Sequence, residues 1–279
     1  MGLPERWARR LQARRSIIFC YHGLGVTTVQ LDTGLLQVHP DAFRAQLELL
    51  LGAGFQFVTV AEFAERSNGD APPPGLVALS FDDGMHDNHT LVLPLLREYG
   101  VKATFYVTTG LIGQANPWLA EGSGARMMTV DELRDLVEAG CEIGAHSVTH
   151  PDFSQLDYDG CFREANDSRL ELERLIGVTV RTFAYPFCEY GPQAIAAVRD
   201  AGFLAAVTCR SGVGSWNPFE LQRSIISRLD SMTTFVLKLS GLHHPLFMSA
   251  PGRLVRASTR SYRYRRRERR ETRRYSEGA

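Results

Sequence analysis

Lysine is almost missing from this 279-residue chain. Lys102 and Lys238 are the only two, so its basic chemistry is arginine chemistry. No apolar run approaches the roughly eighteen residues of a membrane-crossing helix, which excludes that class. Five cysteines (Cys20, Cys141, Cys161, Cys188, Cys209) are odd in number and form no CxxC. They argue against a disulfide framework and against a cysteine-built zinc site. A signal-peptide core is missing too. The basic opening MGLPERWARRLQARR leads only into SIIFCY before a histidine, with no small-residue cleavage site. Arg6 stands where myristoylation wants Ser or Thr. The expected location is therefore cytoplasmic, peripheral at the membrane if the basic ends act there.

Net charge is also absent, but only in sum. Residues 253–279 hold eleven Arg and three Glu, a balance of +8, and residues 1–15 carry +4. The body between them is therefore −12. With 44% hydrophobic and 22% charged residues the chain can build a core, and wholesale disorder is excluded.

One pattern recurs along the body. An apolar, helix-like stretch ends in Gly and a β-like stretch follows at once, at Gly54, Gly100, Gly140 and Gly202. Gly there supplies the left-handed residue that closes a helix. Strands are expected at 16–21, 76–81 and 181–185, and helices at 40–51, 88–99, 129–139, 161–176 and 192–201. Thr129-x-x-Glu132 reads as a capping box. Six or seven such units make an α/β protein, a parallel barrel, with a doubly wound open sheet as the rival. Three regions result: a basic segment 1–15, a domain 16–242, and a linker with an Arg-rich tail, 243–279, expected to be disordered.

The unusual polar residues fall at strand ends. Asp82 and Asp83 follow LVALSF, His146 and His150 follow EIGA, His22 follows SIIFCY, and Tyr185-Pro186 closes RTFAY. In parallel α/β folds these ends share one face, where sites are built. His146 and His150 are spaced i, i+4, so on a helical turn both imidazoles project from one face. With one carboxylate they suit a divalent metal that keeps an open position. Alone, the His pair reads first as a chance surface pair and Asp-Asp-Gly as a common turn; together, at the ends of separate strands, they point to a site. His86 and His89 are candidate extra ligands or helix-start residues, with Asp87 as N-cap, and His39 is a loop residue. Trp216 offers a flat face to a sugar ring, or is an ordinary half-buried Trp.

Ser80-Phe81-Asp82-Asp83-Gly84 and His146-Ser147-Val148-Thr149-His150 resemble the first two motifs of the polysaccharide deacetylases with the NodB homology domain, carbohydrate esterase family four. The likeness spans about 16–242. Phe19-Cys20-Tyr21-His22-Gly23 and HPDAFRAQLELLLGAGFQFVTVAEF resemble the circularly permuted branch that includes the poly-β-1,6-N-acetylglucosamine deacetylases. The resemblance implies a distorted (β/α)7-type barrel and a metal, Zn²⁺ first among the candidates. It implies Asp82 as catalytic base, Asp83, His146 and His150 as metal ligands, His22 as general acid and the Phe187 backbone N–H as oxyanion donor. His243 and His244 are read as linker residues. The third motif departs from the family's Arg-x-Pro-Tyr-Gly: Ala184 replaces the Arg that holds the base, Phe187 replaces Tyr, and Cys188 replaces Gly. Cys188 is read as a small packed hydrophobe. Tyr185, Pro186 and Trp216 are expected to line the sugar site.

The implied partner is an N-acetylated glycan or glycolipid, with the acetyl group leaving from an amino sugar of a polysaccharide or its lipid- or nucleotide-linked precursor. The tail at 253–279 suits an anionic membrane surface or stays solvated. The −12 body, without a recognised nucleic-acid module, argues against nucleic acid. Two other functions stay open: hydrolysis of another acyl group (O-acetyl or N-formyl), and a non-catalytic sugar-binding relative.

Overall fold

Each apolar run between the glycine punctuations becomes a strand, and each amphipathic stretch a helix laid over it. In chain order the elements are α1 (Leu3–Gln12), β1 (Ile17–Tyr21), β2 (Gly23–Leu24), β3 (Gln37–Val38), α2 (Pro40–Ala53), β4 (Gln56–Val58), α3 (Val60–Glu65), β5 (Leu76–Phe81), α4 (Leu93–Tyr99), β6 (Thr104–Val107), α5 (Val130–Glu138), β7 (Glu142–Ala145), α6 (Tyr158–Ile176), β8 (Thr182–Ala184), α7 (Pro192–Asp200), β9 (Ala205–Thr208), β10 (Leu221–Ile225) and α8 (Met232–Ser240). The computed structural model describes residues 3–25, 36–67, 69–118, 125–209 and 216–241. The disorder expected of the basic tail, and the linker histidines His243 and His244, lie outside these residues. The chain divides into a unit Met1–Val236 and a short one, Leu237–Ala279, of which only the end of α8 is described.

Seven strands close a parallel barrel in the order β1, β5, β6, β7, β8, β9, β10 and back to β1. The β1–β5 pairing, Ile17 opposite Val77 through Tyr21 opposite Phe81, excludes the open-sheet rival. β4 is an eighth strand outside the ring. It takes the first half of one β5 edge, and β6 takes the second half. This split is the distortion of the barrel.

Alternation along the strands sorts the two faces. Phe19, Tyr21 and Phe81 point outward. Tyr21 stacks on Phe81 at 5.2 Å, Phe81 on Phe105 at 5.1 Å, and Phe43 of α2 meets Tyr21 and Phe81 edge-on. Truncating such a fully buried ring costs about 3–5 kcal/mol. Ile18, Ala78, Tyr106, Ala184, Val207 and Leu221 join in the interior core.

The four glycines expected at helix ends adopt φ of 87°, 63°, 77° and 88°. The Thr129–Glu132 capping box forms, and Thr59–Glu62 makes a second. The basic opening segment is not merely a tail: α1 packs on α2 and buries Ala8 completely. The expected helix from 88 to 99 is interrupted, because Asn88–Val92 winds as one wide π turn before α4.

Candidate active site

The strand ends deliver their polar residues to one rim. Asp82 and Asp83 leave β5, His22 leaves β1, and His146 leaves β7. Asp83 has φ 79° and Gly84 φ 80°, so the chain turns sharply as soon as both carboxylates have been placed. A Cβ at Gly84 would sit 3.2 Å from the Val107 side chain, which makes glycine's space as necessary as its conformation.

The segment 146–150 is not the helical turn that its spacing suggested. Ser147 and His150 adopt φ 64° and 60°. Glu164 of α6 fixes this loop by accepting hydrogen bonds from the Val148 and Thr149 N–H groups and from the Thr149 hydroxyl. The Ser147 hydroxyl accepts from the His150 N–H. The result still brings both imidazoles to Asp83. Asp83 Oδ1 lies 3.5 Å from His146 Nε2 and 3.4 Å from His150 Nε2, and the two Nε2 atoms are 3.2 Å apart. His146 Nδ1 donates to the Ala184 carbonyl at 2.7 Å. In the neutral ring that bond leaves a lone pair on Nε2, aimed at the shared point. Two imidazole lone pairs and one carboxylate converge in a buried pocket, which is a donor set that a divalent cation fits.

The charges agree with this geometry. Burial opposes ionisation of Asp83, but its neighbours His146, His150 and His22 outweigh it and hold the carboxyl well below the usual range. Burial alone would lower His146. Asp83, Asp82 and the Ala184 carbonyl reverse that and raise it. Burial, helped by neighbouring His146, lowers His150.

Asp82, next in the chain, has a different partner. Arg223 of β10 grips it with both ends of the guanidinium, Nη1 to Oδ1 at 2.6 Å and Nη2 to Oδ2 at 2.7 Å. The pair is buried, and Arg223 also donates to the Ser80 hydroxyl at 3.1 Å and lies 5.5 Å from the Tyr106 ring centroid. Burial would raise the Asp82 carboxyl, and Arg223, with His146 and His22, more than cancels that. The Cys20 thiol donates to Asp82 Oδ2 at 3.4 Å and is kept protonated by its own burial. A ring nitrogen of half-buried His22 lies within 4.8 Å of the Cys20 sulfur and an Asp82 oxygen. His22 Nδ1 is enclosed without a hydrogen-bond partner, while Asn88 donates to the His22 carbonyl at 2.9 Å. Cys20, His22 and Asp82 do not make a second cation site, because Arg223 already supplies the positive charge there.

The expectations for Tyr185, Pro186, Trp216 and Asp87 are corrected. Tyr185 and Pro186 are buried, so they offer no sugar surface. The Tyr185 ring stacks on Tyr190 at 4.4 Å and its hydroxyl donates to the Phe219 carbonyl. Trp216 packs against the interior core, at the N-terminal end of β10 and opposite the rim. The aromatic walls beside the site are instead Trp118 and Phe187, with ring centroids 4.9 Å and 4.6 Å from that of His150. His86 and His89 turn away to Glu132 and Asp135 and do not reach Asp83. Asp87 makes no cap. It accepts from Gln37, Asn88 and the Leu24 N–H, and burial pushes its carboxyl up to about 7.

Cysteine pairing was not anticipated either. Cys188 and Cys209 form a disulfide with Cα atoms 5.4 Å apart. The bond ties the loop after β8 to the end of β9. Phe187 and Cys188 both take φ 57°, and Phe187 is 60% exposed. Each left-handed non-glycine residue costs about 1–3 kcal/mol and persists only where its surroundings impose it.

Arg223, Trp118 and Cys209 are the residues that sequence reading missed. Arg223 had a signal: in LQRSI it shares alternate positions with Leu221 and Ile225, so a strand there would point a cation inward.

Residues 69–206 match the family model for polysaccharide deacetylases. His22 lies before that segment and Arg223 after it. The fold superimposes on a Streptococcus pyogenes deacetylase, PplD, solved in complex with acetate, at a TM-score of 0.69 and 27% identity, covering 80% of this chain and 97% of that one. It superimposes on IcaB from Ammonifex degensii at a TM-score of 0.68 and 23% identity, covering 81% and 97%. A poly-β-1,6-N-acetyl-D-glucosamine N-deacetylase of Staphylococcus aureus (strain MSSA476) is 22% identical over 220 residues, 74% of this chain and 73% of that protein. Matched segment, closed seven-stranded barrel and rim agree, and the chain carries a polysaccharide deacetylase domain.

Proposed function

We propose that this deacetylase removes N-acetyl groups from amino sugars of a polysaccharide, or of its lipid- or nucleotide-linked precursor, using a divalent cation held by Asp83, His146 and His150. The observation that carries the reading is the convergence of two differently partnered carboxylates, two histidines and His22 on one rim. The Staphylococcus aureus relative, named for an N-acetylglucosamine polymer, supports the substrate class. Two imidazoles and one carboxylate suit Zn²⁺. When bound, the cation supplies Lewis-acid polarisation of the acetyl carbonyl and stabilises charge on its oxygen.

The protein's own groups do the rest. Asp82, kept ionised by Arg223, takes a proton from the water that attacks the acetyl carbon. The Phe187 N–H donates to the oxyanion that forms. His22, with a ring nitrogen within 4.8 Å of Asp82, gives a proton to the departing nitrogen, which leaves as an amine rather than an amide anion. Trp118 and Phe187 flank the sugar. Products are acetate and a free amino sugar. A membrane surface is the proposed place of action, supported by the +8 balance of residues 253–279.

The test is metal-dependent acetate release, with Asp82→Asn as control, from free N-acetylglucosamine, its oligomers, a nucleotide-linked form and a lipid-linked form. Release from one carrier class identifies the substrate. Release only from O-acetylated or N-formylated glycans would replace the N-deacetylase reading.

A further inference from the structure

The loop that carries the Phe187 N–H is held in an unusual way. Two consecutive residues that are not glycine sit in the left-handed region, at φ 57° each. Pro186, before them, is buried, the largely exposed Phe187 ring meets His150 edge-on, and the Cys188 and Glu189 N–H groups donate to the Tyr185 and Pro186 carbonyls across the turn. The only covalent tether in the loop is the bond from Cys188 to Cys209, and Cys209 follows β9 directly. That anchor sits beside the base: Cys209 Sγ lies 3.5 Å from Arg223 Nη2 and 3.9 Å from Cys20 Sγ. Cys20 takes no part in exchange, since burial keeps it protonated and a thiol attacks only as thiolate.

We propose that the Cys188–Cys209 bond is a positioning device for the oxyanion donor. It imposes the left-handed turn at 188 that aims the Phe187 N–H into the site, and its redox state sets turnover. The inference rests on the deacetylase reading above. Reduction needs a dithiol. One dithiol thiolate attacks a sulfur of the pair and the other cysteine leaves as thiolate and takes up a proton; the second dithiol sulfur, as thiolate, then attacks the mixed disulfide, closes the dithiol's own disulfide and releases the first cysteine, which is protonated in turn. Two electrons pass to the protein, and the freed Cys188 relaxes toward negative φ. The pair stays bonded in an oxidising compartment and opens in a reducing one.

Glycine separates positioning from mere stability. It adopts positive φ without a tether, whereas alanine does not. The oxidised protein, the same protein under dithiothreitol, Cys188→Ala and Cys188→Gly are compared for acetate release. Reduction and Cys188→Ala should each lower kcat about ten- to hundredfold with KM little changed, a part of the loss expected on removing one oxyanion donor. Cys188→Gly should recover kcat to within about threefold of the oxidised protein and ignore dithiothreitol, because it meets the conformational demand directly. Equal kcat for the oxidised protein, the reduced protein and Cys188→Ala overturns the inference. So does a Cys188→Gly variant as slow as Cys188→Ala. Hydrogen exchange over 185–189 reads the same order without turnover: slow in the oxidised protein, fast when reduced or in Cys188→Ala. If no substrate releases acetate, this exchange order still decides the loop question, while the deacetylase reading alone falls. Five free thiols in the unreduced, unfolded protein, rather than three, also overturns the inference.

Discussion

Asp82 and Asp83 are chain neighbours, both buried, and they face opposite electrostatic worlds. Asp82 looks into the barrel at a guanidinium that is part of the fold. Asp83 looks across the rim at two imidazoles that leave room for a cation. Successive side chains at a strand end point to different sides, so one dipeptide supplies two roles. The fixed cation of Arg223 keeps Asp82 ionised whatever the metal does. The Asp83 cluster has two neutral or partly charged rings, and its charge is completed only by something that binds. The difference teaches that the role of a carboxylate is written in its partner, not in its motif.

Losing the proton acceptor should have the largest effect. Asp82→Asn is expected to lower kcat by about 10²–10⁴, checked by acetate release. Removing the fixed cation comes next. Arg223→Met leaves a buried carboxylate alone, which costs about 3–5 kcal/mol of stability, read by denaturant unfolding. It also releases the Asp82 carboxyl upward, so the acidic limb of kcat/KM should move to higher pH by about 1–3 units. An unmoved limb would mean that Arg223 serves only packing.

A smaller effect belongs to Asp87, whose carboxyl is raised to about 7 by burial. A raised acid contributes stability below the unfolded carboxylate range, near 4, and loses it as pH climbs to about 7. Asp87→Asn has no such loss. The Tm of the variant relative to the parent should therefore rise by roughly 3–6 °C between pH 4.5 and 7.5, measured by thermal melts. The smallest expected effect separates the two tryptophans. Trp118→Ala should raise KM about two- to tenfold. Trp216→Ala should lower Tm and leave KM unchanged, since its ring belongs to the core.

The clustering of Asp83 with His146 and His150 was legible in the sequence, and the partner of Asp82 was not. Asp83, His146 and His150 come in two short motifs at strand ends, so local spacing brings them together even though the 146–150 turn is not helical. Arg223 lies 141 residues from Asp82 and meets it only because the barrel closes β10 on β1 and β1 on β5. Ala184, in the position where the family keeps an Arg, hid the fact that another strand supplies the same charge. The disulfide was hidden for the same reason: 21 residues and a whole βα unit separate Cys188 from Cys209, and no spacing rule pairs them. Gly54, Gly100, Gly140 and Gly202 show the opposite case. Their left-handed φ is a local demand, and local sequence announces it. Trp216 misled because an aromatic ring looks alike at a sugar site and in a core. Only its position before β10 decides.

The most direct test of divided roles is zinc titration of metal-stripped protein by calorimetry, on the parent, Asp82→Asn and Asp83→Ala. The account predicts one site in the parent and in Asp82→Asn, with similar affinity, and no such site in Asp83→Ala. Loss of zinc from Asp82→Asn, or its retention by Asp83→Ala, would contradict it.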